Sequence, residues 1–368
     1  MVVRITQIRL QQFRNHEALM LDTDAPAVII TGVNGIGKTN ILEALSLCTV
    51  GRGLRHAALN EIHRHPQDGT SHKQWGVHVT MRNHDETHAL LMTHQQGAAR
   101  RTISFDDVAL SSMAHPSLHH AIMWLTPTMS HMFQEGMTVR RKFFDRLAYG
   151  FDAKHATHVH AYDHYMRERT KLLMMDRSDA AWLDVLEQKM AEYAVLIART
   201  RMHMARSMEE GMREVRQPFP HATLQIIGVA EQALSLYASD DEVIAHVRQQ
   251  WQQTRTQDRH AGRCSIGAHK TRFEVMFVPT GRAAEQCSTG EQKALLLAFM
   301  CAHLYAHRAH GARHPILLLD EMVAHLDQGR RDALAQVLEH TQVQLFATGT
   351  DASDFSALLP SGARMIAL

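Results

Sequence analysis

The sequence predicts an α/β protein: a mixed sheet carrying a phosphate-binding loop, an antiparallel β segment and an inserted α-helical lobe. A glycine-rich loop at residues 31–40 follows a short apolar run and precedes a segment with helical periodicity. An uninterrupted apolar strand at 316–319, of the kind that buried parallel sheets use, ends in two carboxylates. Between these two features the hydrophobic period changes from two residues to 3.6, which predicts strands followed by helices.

Length and composition narrow the class of protein. The 368 residues are sufficient for two or three domains, and the apolar fraction of 45% with 21% charged residues excludes a disordered chain. Because the net charge is only +1, any nucleic-acid partner must be held by local basic patches. We find no signal peptide and no uncharged apolar run of about 18 residues, so we expect a cytoplasmic protein without a membrane span.

The cysteines and histidines suggest no metal centre. Cys48, Cys264, Cys287 and Cys301 lack C-x-x-C spacing, which favours reduced thiols near the core. The chain has 28 histidines, and four of them crowd residues 155–164. Only His160 and His164 have the i, i+4 spacing of helical metal ligands, and no glutamate follows His160. A solvated helix face is therefore favoured there over a metal site.

Three domain segments follow from the pattern along the chain. Residues 1–115 form the first part of the phosphate-binding lobe, with strands at 2–10, 16–21 and 28–30 and an antiparallel meander at 75–81, 88–93 and 101–105. Residues 116–220 form the inserted helical lobe, which is helical from Pro116 to about Val215. Residues 221–368 return to the first lobe. We expect its strands at 223–229, 273–278, 316–319 and 344–347, and its helices at 241–257, 290–308 and 329–338.

The loop matches the pattern G-x-x-x-x-G-K-[ST] through Gly32, Gly37, Lys38 and Thr39. Its glycines allow backbone N–H groups to point at a triphosphate, and the start of the following helix adds positive potential. Lys38 is expected to reach the β- and γ-phosphates, and the Thr39 hydroxyl to take one Mg²⁺ position. The predicted nucleotide-binding residues of the loop are Gly32, Val33, Asn34, Gly35, Ile36, Gly37, Lys38, Thr39 and Asn40.

The acidic strand supplies the partners of this loop. Asp320 suits the second Mg²⁺ contact, and Glu321 suits a general base that polarises the attacking water. An Asp-Glu pair after a strand is also a common helix N-cap, but the phosphate loop favours the catalytic interpretation. Lys38 and Asp320 lie 320 − 38 = 282 positions apart, so the site is built from both ends of the chain.

A second candidate anion site precedes the acidic strand. Ser288 and Gly290 lie at the start of a predicted helix, followed by Gln292. A capping box between Ser288 and Glu291 is the alternative interpretation. With two phosphate-binding helix starts in one chain, one nucleotide can be clamped between the first of one subunit and the second of another.

This ordered set resembles the ATP-binding-cassette head of the SMC-type group, and within it the RecF family over nearly the whole chain. The matching segments are Phe13-Arg14-Asn15, Gly35 to Asn40, Pro127, Gly136, Arg140 to Asp145, Ser288 to Ala294, Asp320-Glu321, Ala324-His325-Leu326-Asp327 and Arg330. The chain departs from the family at Thr128, where an acid is usual, at Met137, where a proline is usual, and at residues 267–272.

The resemblance implies further roles. Ser288, Gly290 and Gln292 would act in trans on the ATP of a partner subunit, and Asp327 would cross the dimer interface. Arg14 and Asn15 would lie near the nucleotide, with a surface salt bridge as the alternative for this pair. From the turn after the first helix, Arg55, or else Arg52, would approach the γ-phosphate.

The implied protein is a weak, DNA-stimulated ATPase used as a switch. ATP and Mg²⁺ would close a homodimer on double-stranded DNA at single-strand gaps, and RecO and RecR would be its partners in loading RecA at the nucleoid. Transport-type cassette ATPases are the alternative, although these usually carry a histidine where Thr348 stands. A catalytically dead clamp would have lost Lys38 or Glu321.

Basic residues of the helical lobe are the candidates for DNA contact. Arg140 and Arg141 could bind phosphates or form salt bridges within the lobe, and Asp145 on the same helix favours internal pairing. The other candidates alternate with acids and could also form a solvated face: Arg167, Arg169, Lys171, Arg199, Arg201, Arg206 and Arg213.

Overall fold

The computed structural model describes residues 3–65, 73–113, 115, 118, 120–175, 179–309, 315–358 and 362–368. The chain forms two compact units. The first comprises Met1–Ser130, Glu214–Phe219 and Met300–Leu368, and the second comprises His131–Arg213 and Pro220–Phe299. No helix within the described ranges is long and apolar enough to span a membrane.

The first unit contains a parallel sheet and an antiparallel sheet. The parallel strands are β3 (Ala27–Thr31), β8 (Ala121–Leu125), β12 (Pro315–Asp320), β13 (Gln344–Gly349) and β14 (Arg364–Ala367). The antiparallel strands are β1 (Val3–Phe13), β2 (His16–Asp22), β4 (Gln74–Asn83), β5 (Glu86–Gln95), β6 (Thr102–Phe105) and β7 (Val108–Leu110). Helices α1 (Lys38–Ser46) and α8 (Gln328–Thr341) belong to the same unit.

The parallel sheet has the strand order β14-β3-β13-β12-β8. Its strands β3, β12 and β13 are buried along their whole length, which agrees with their continuous apolar sequence. In the register, Thr348 of β13 lies opposite both Asp320 of β12 and Ile30 of β3. The carboxyl ends of three strands therefore meet beside the phosphate loop, and the predicted fold class is confirmed.

The helical prediction from Pro116 onward is wrong for residues 121–125. These residues form β8, an edge strand that pairs in parallel with β12. All five are apolar and buried, and a short apolar run cannot be assigned to a strand or a buried helix from periodicity alone. Pro116 itself, where the sequence places the start of the helical lobe, lies outside the described residues.

The antiparallel sheet has the order β2-β1-β4-β5-β6-β7, as the alternating pattern at 75–105 predicts. One face packs against α1 and the parallel sheet in a single core that includes Ile8, Leu42, Trp75 and Phe346. The sheet therefore supports the helix that follows the phosphate loop.

One buried amide, that of Gln344, joins the two sheets of this unit. Its side-chain oxygen accepts the backbone N–H of Ile5 at 2.7 Å. Its nitrogen lies 2.9 Å from the carbonyl oxygen of Ile5 and 3.0 Å from those of Thr23 and Ala25. A polar side chain on the first residue of β13 thus satisfies backbone groups of β1 and of the connection between β2 and β3.

The second unit combines helices with a small sheet. Its helices are α2 (Met137–Ala148), α3 (His155–Leu173), α4 (Ala180–Glu214, up to Arg213), α5 (Val229–Leu236), α6 (Asp240–Ala261) and the first part of α7 (Thr289–Ala309). Its strands are β9 (Ala222–Ile227), β10 (Arg272–Phe277) and β11 (Arg282–Ala283), in the order β11-β10-β9.

The units divide the chain differently from the predicted lobes, because residues 220–299 fold together with residues 131–213. The reason is a shared core: Val243 and Trp251 of α6 pack with Tyr162 of α3 and Met190 of α4. Helix α5, which the sequence did not predict, contributes Ala230 and Ala233 to the same core.

Two arginines that were candidates for DNA contact are buried in this unit. Arg169 pairs with Glu187 at 2.8 Å and Asp258 at 2.7 Å, and its side chain is 0% exposed. Arg201 pairs with Asp145 through two bonds of 2.8 and 2.9 Å and also donates to the Ala268 carbonyl. Both side chains are structural and unavailable to DNA. Arg140 is internal as well, bonded to Glu285 and to the Phe133 and Phe273 carbonyls.

The histidines at 155–164 do not assemble a metal site in the described part of the chain. His155 is buried and its Nε2 lies 3.0 Å from Asp145, while no group of three or more described metal-ligating side chains could hold an ion. The four cysteines are free and buried, as predicted, and burial raises the pKa of the Cys301 thiol to about 12.

Candidate nucleotide-binding site

The phosphate loop joins the carboxyl end of β3 to the start of α1, as the sequence predicts. Residues 33–36 are exposed, whereas Gly37 and Lys38 at the helix start are buried. Gly35 and Gly37 have φ values of +85° and +115°, a region that other residues rarely adopt. The loop therefore presents an open stretch of backbone in front of a helix N-terminus, which is an arrangement that binds anions.

The Lys38 side chain lies beneath this loop. Its ammonium nitrogen donates to the Gly32 carbonyl at 2.7 Å and the Val33 carbonyl at 3.2 Å, and it is 3% exposed. It also lies 3.8 Å from a carboxylate oxygen of Glu321. The structure thus brings together the two predicted catalytic residues from opposite ends of the chain.

Asp320 and the Thr39 hydroxyl are directly hydrogen-bonded. Thr39 Oγ1 donates to Asp320 Oδ1 at 2.8 Å, and Thr348 Oγ1 donates to the same carboxylate oxygen at 2.8 Å. Hydroxyl and carboxylate oxygens are the ligands that Mg²⁺ prefers. The two predicted metal ligands therefore lie within reach of one ion, and a second hydroxyl fixes the carboxylate.

Thr348 also fixes Glu321. The backbone N–H of Glu321 lies 3.2 Å from the Thr348 carbonyl and 3.1 Å from its hydroxyl. Glu321 has a φ of +51°, which is uncommon for a residue with a side chain and directs the chain sharply away from β12. Thr348 is thus a positioning residue for both carboxylates, and sequence reasoning noted it only as the residue that replaces a histidine.

The turn between β1 and β2 closes over the loop from the other side. Asn15 donates to the Ile36 carbonyl at 2.7 Å and accepts from the Asn40 amide at 2.6 Å. His16 Nε2 lies 3.2 Å from the Gly37 carbonyl. Burial lowers the pKa of His16, so the ring is neutral at neutral pH, and Nε2 must carry the proton because a carbonyl only accepts.

Arg14 and Arg55 share a buried carboxylate on α1. Glu43 accepts two bonds from Arg14, of 2.8 and 2.5 Å, and one from Arg55 at 3.2 Å. Arg55 also donates to the Asn40 side chain at 2.6 Å and remains 40% exposed. The predicted residues Arg14, Asn15 and Arg55 thus form one network with the loop, and its centre is Glu43, which sequence reasoning missed. The only available signal was an acid within the otherwise apolar segment 41–45.

The predicted signature segment lies in the second unit. Ser288 and Gly290 are exposed, and Ser288 exchanges hydrogen bonds with Glu291 in a capping box. Gln292 is fully buried, and its amide donates to the carbonyls of Ala284 and Cys287. Ser288 and Gly290 therefore face solvent, whereas the side chain of Gln292 supports the preceding turn.

Asp327 is the N-cap of α8. Its carboxylate accepts the backbone N–H of Arg330 at 2.9 Å, and the Arg330 guanidinium lies 3.4 Å from it. The side chain is 58% exposed. Asp327 can therefore contact another molecule while still capping its own helix.

Substitution of Gly37 by alanine is expected to open the contact between the loop and the β1–β2 turn. A Cβ at this position would lie 2.6 Å from the side chains of Asn15 and His16, in addition to the strain of its positive φ. Gly35→Ala is the matched control, because its φ is also positive but nothing lies within 4 Å of the added carbon. We expect Gly37→Ala to lower the melting temperature by at least about twice as much as Gly35→Ala. Equal losses would mean that the turn does not hold the loop.

The sequence matches a known protein-family model, described as the RecF/RecN/SMC N terminal domain, over residues 4–358. Among curated proteins, the DNA replication and repair protein RecF of Rickettsia bellii is 38% identical over 344 residues, which cover 93% of each chain. The corresponding protein of Rickettsia prowazekii is 37% identical, with 94% of this chain and 93% of that protein covered.

Solved structures share the fold. The recombination mediator protein RecF-ATP in the RecFOR pathway superimposes with a TM-score of 0.79 at 21% identity and covers 96% of this chain and 95% of its own. An Smc head bound to the C-winged helix domain of ScpA gives a TM-score of 0.53 at 16% identity, with 96% and 91% covered. The latter likeness extends the shared architecture to SMC heads.

Proposed function

Because the chain belongs to the RecF family, within the RecF/RecN/SMC group of ATPase heads, we propose that it is an ATP-dependent clamp on double-stranded DNA. The observation that carries the proposal is a hydrogen-bonded set next to Lys38, in which Asp320 accepts from the hydroxyls of Thr39 and Thr348, and Thr348 in turn accepts the backbone N–H of Glu321. This set holds every group that binding and hydrolysis of a nucleoside triphosphate require on one side of the nucleotide.

The residues present fit ATP and Mg²⁺. Thr39 and Asp320 would hold the ion, which supplies charge neutralisation at the β- and γ-phosphates when it is bound. Lys38 is already desolvated, and its contacts among the described residues are with its own loop carbonyls and, more weakly, with Asn34 and Glu321. Exchange of these contacts for phosphate oxygens therefore costs little additional desolvation. Backbone N–H groups of residues 33–38 would surround the phosphates.

Glu321 is the proposed general base. Its carboxylate is 41% exposed and is oriented by the backbone bonds to Thr348, so it can accept a proton from a water molecule on the solvent side of the loop. In this proposal Arg55 would bind the γ-phosphate after its exposed guanidinium releases Asn40 and Glu43. In this proposal hydrolysis is slow, so that ATP binding, and not turnover, sets the state of the switch.

The second half of the site comes from another subunit in this proposal. Ser288 and Gly290 are exposed at the start of a long helix and can therefore meet the nucleotide of a partner, and Asp327 can contact the partner from the start of α8. The buried amide of Gln292 would hold the turn before the helix and act through it. ATP would thus close a homodimer, and RecO and RecR, with gapped DNA, would be its partners in loading RecA in the cytoplasm.

Transport-type ATPase activity gains no support from this site. Thr348, which stands where that class usually has a histidine, makes two side-chain bonds that position Asp320 and Glu321.

Glu321→Gln is the test of the proposed function. The substitution removes the proton acceptor and retains the shape, so hydrolysis should fall about 100- to 10,000-fold while ATP-dependent binding to gapped duplex persists longer than for the wild type. We would measure ATP turnover and DNA dissociation on gapped duplex, plain duplex and single strand at two salt concentrations.

The proposal requires three results from the wild type in the same assay. Binding must depend on ATP, must favour duplex-containing DNA over single strand, and must weaken with salt as phosphate contacts do. Normal turnover by Glu321→Gln would remove Glu321 from its role, and DNA binding indifferent to ATP would contradict the clamp.

A further inference from the structure

A groove in the second unit contains none of the residues assigned to the nucleotide site, although two of its residues, Arg167 and Lys171, are among the candidates for DNA contact. It lies between the last two turns of α3 and the loop at 262–270, and it forms an open cavity of about 400 Å³. We call it the basic groove and define it by six of its lining residues: Met166, Arg167, Lys171, Met174, Arg263 and Lys270. The volume falls in the range of sites that bind ligands or side chains.

Among the described residues, no carboxylate lies within ion-pair distance of the four cations of the basic groove. Arg167, Lys171, Arg263 and Lys270 are all exposed. The described residues that line the cavity include no carboxylate. On the same helix, Asp163 lies one turn before Arg167 and interacts with it electrostatically, and the exposed Glu168 follows Arg167 directly. Like charges in one concave surface repel one another, so this arrangement favours a negatively charged occupant.

The other polar groups of the cavity do not offset this charge. Burial lowers the pKa of His269 to about 4, so its ring is neutral, and both of its nitrogens are engaged, with Tyr162 and with the Cys264 carbonyl. Arg169, on the same helix as Arg167, points inward to Glu187 and Asp258. On this helix Arg169 is therefore a structural cation, whereas Arg167 and Lys171 are exposed in the groove.

Methionines form the apolar part of the basic groove. Met166 is partly buried against the core of the unit, while Met174 is 57% exposed and is followed by Met175, which is 46% exposed. Thioether side chains are flexible and polarisable, and they adapt to apolar groups of different shape. Of these methionines, Met166 and Met174 line the cavity, and the exposed Met174 favours an occupant that also carries an apolar side chain.

We propose that the basic groove binds an acidic peptide segment of a partner protein that inserts a large apolar side chain against Met166 and Met174. Its carboxylates pair with Lys171 and Arg263 from the two sides of the groove, and with Arg167 and Lys270. DNA is the less suitable occupant, since its sugar-phosphate backbone offers anions but no apolar side chain to pack against Met166 and Met174. The inference does not depend on nucleotide binding.

Fluorescence anisotropy with the full-length protein tests the proposal. The probe is a labelled peptide of about ten residues made of Asp and Glu with two Phe residues. One comparison peptide has Ser in place of Phe, and another has Asn and Gln in place of the acids. We expect the probe to bind at least about tenfold more tightly than either, because charge and apolar contacts each contribute more than about 1.4 kcal/mol, which corresponds to tenfold.

Charge-reversal variants locate the binding. Lys171→Glu and Arg263→Glu should each weaken probe binding by about tenfold or more. Met174→Ser should remove the preference for Phe over Ser in the peptide. Arg206→Glu, an exposed arginine of α4 outside the groove, is the matched control and should bind normally. All four positions are exposed, so unchanged melting temperatures would verify folding.

Two outcomes would overturn the proposal. The first is equal binding of the Phe and Ser peptides, or no binding of either. The second is that Lys171→Glu loses affinity for a duplex of about 30 base pairs but binds the probe normally. This result would assign the groove to nucleic acid. Lys38→Arg should bind the probe normally, so failure of the clamp and failure of this proposal are distinguishable.

Discussion

Lys38→Arg is expected to abolish ATP-dependent dimerisation under the proposed mechanism while leaving the fold intact. The ammonium group occupies a closed position bounded by the carbonyls of Gly32 and Val33, and it is 3% exposed. A planar guanidinium is larger and cannot take the place of a compact ammonium there. Loss of its charge-assisted bonds to phosphate, about 1.5–3 kcal/mol each, predicts at least a tenfold to 150-fold loss of ATP affinity.

The measurement is light scattering of the purified protein with and without ATP, together with titration of a fluorescent ATP analogue. Lys73→Arg, at an exposed lysine of the same unit, is the control and should dimerise like the wild type. The melting temperature without nucleotide should fall only moderately, because the larger group overpacks its position by about 1–3 kcal/mol while the positive charge is retained. A Lys38→Arg protein that still dimerises with ATP would refute the clamp.

Arg201→Met is expected to destabilise the second unit by about 3–5 kcal/mol, a drop of roughly 6–20 °C in melting temperature for a domain of this size. Arg201 is 2% exposed and pairs with Asp145 and Glu231. Burial alone would raise the pKa of Asp145, but Arg201 and His155 overcome that effect and hold it well below its usual range. Removal of the guanidinium leaves buried carboxylates without a counter-charge.

Arg199→Met is the matched control. Arg199 lies two residues away on the same helix, and its ion pair with Asp240 is half exposed, so its loss should cost about 0–1 kcal/mol. The stabilisation of ionised Asp145 is present above the ordinary carboxyl pKa and is lost as the pH falls through the depressed value. The deficit of Arg201→Met should therefore shrink below about pH 4. Equal effects of the two substitutions at neutral pH would contradict a structural role for Arg201.

The strand, loop and helix around Lys38 were predictable because each depends on local sequence. The sequence shows glycines at 32 and 37, an apolar run before them and a helical period after them. Each of these signals can be recognised without knowledge of the tertiary structure. Asp320 and Glu321 were predictable for the same reason, since an apolar strand that ends in carboxylates is a local signal. Their roles in hydrolysis remain predictions.

Residues that depend on tertiary partners were not predictable in this way. Arg201 follows Ile197 by four residues and Ala198 by three, which places it on the buried face of α4. Its charge obscured this signal. Thr348 has no local signal of the contacts that it makes across the site, and the acid at Glu43 in an apolar segment does not show which cations it pairs with. Residues 121–125 were assigned to a helix because a strand at a sheet edge is defined by its neighbour, β12, which lies almost 200 positions away.

The amide of Gln344 has a consequence for how the first unit unfolds. If the antiparallel sheet opened while the parallel sheet stayed folded, the bonds from this side chain to Ile5, Thr23 and Ala25 would break inside the core. Each buried group left unpaired costs about 1–3 kcal/mol. Partial opening is therefore suppressed, and we expect the two sheets to melt as one cooperative unit. The amide proton of Ile5 should then exchange with solvent only through global unfolding.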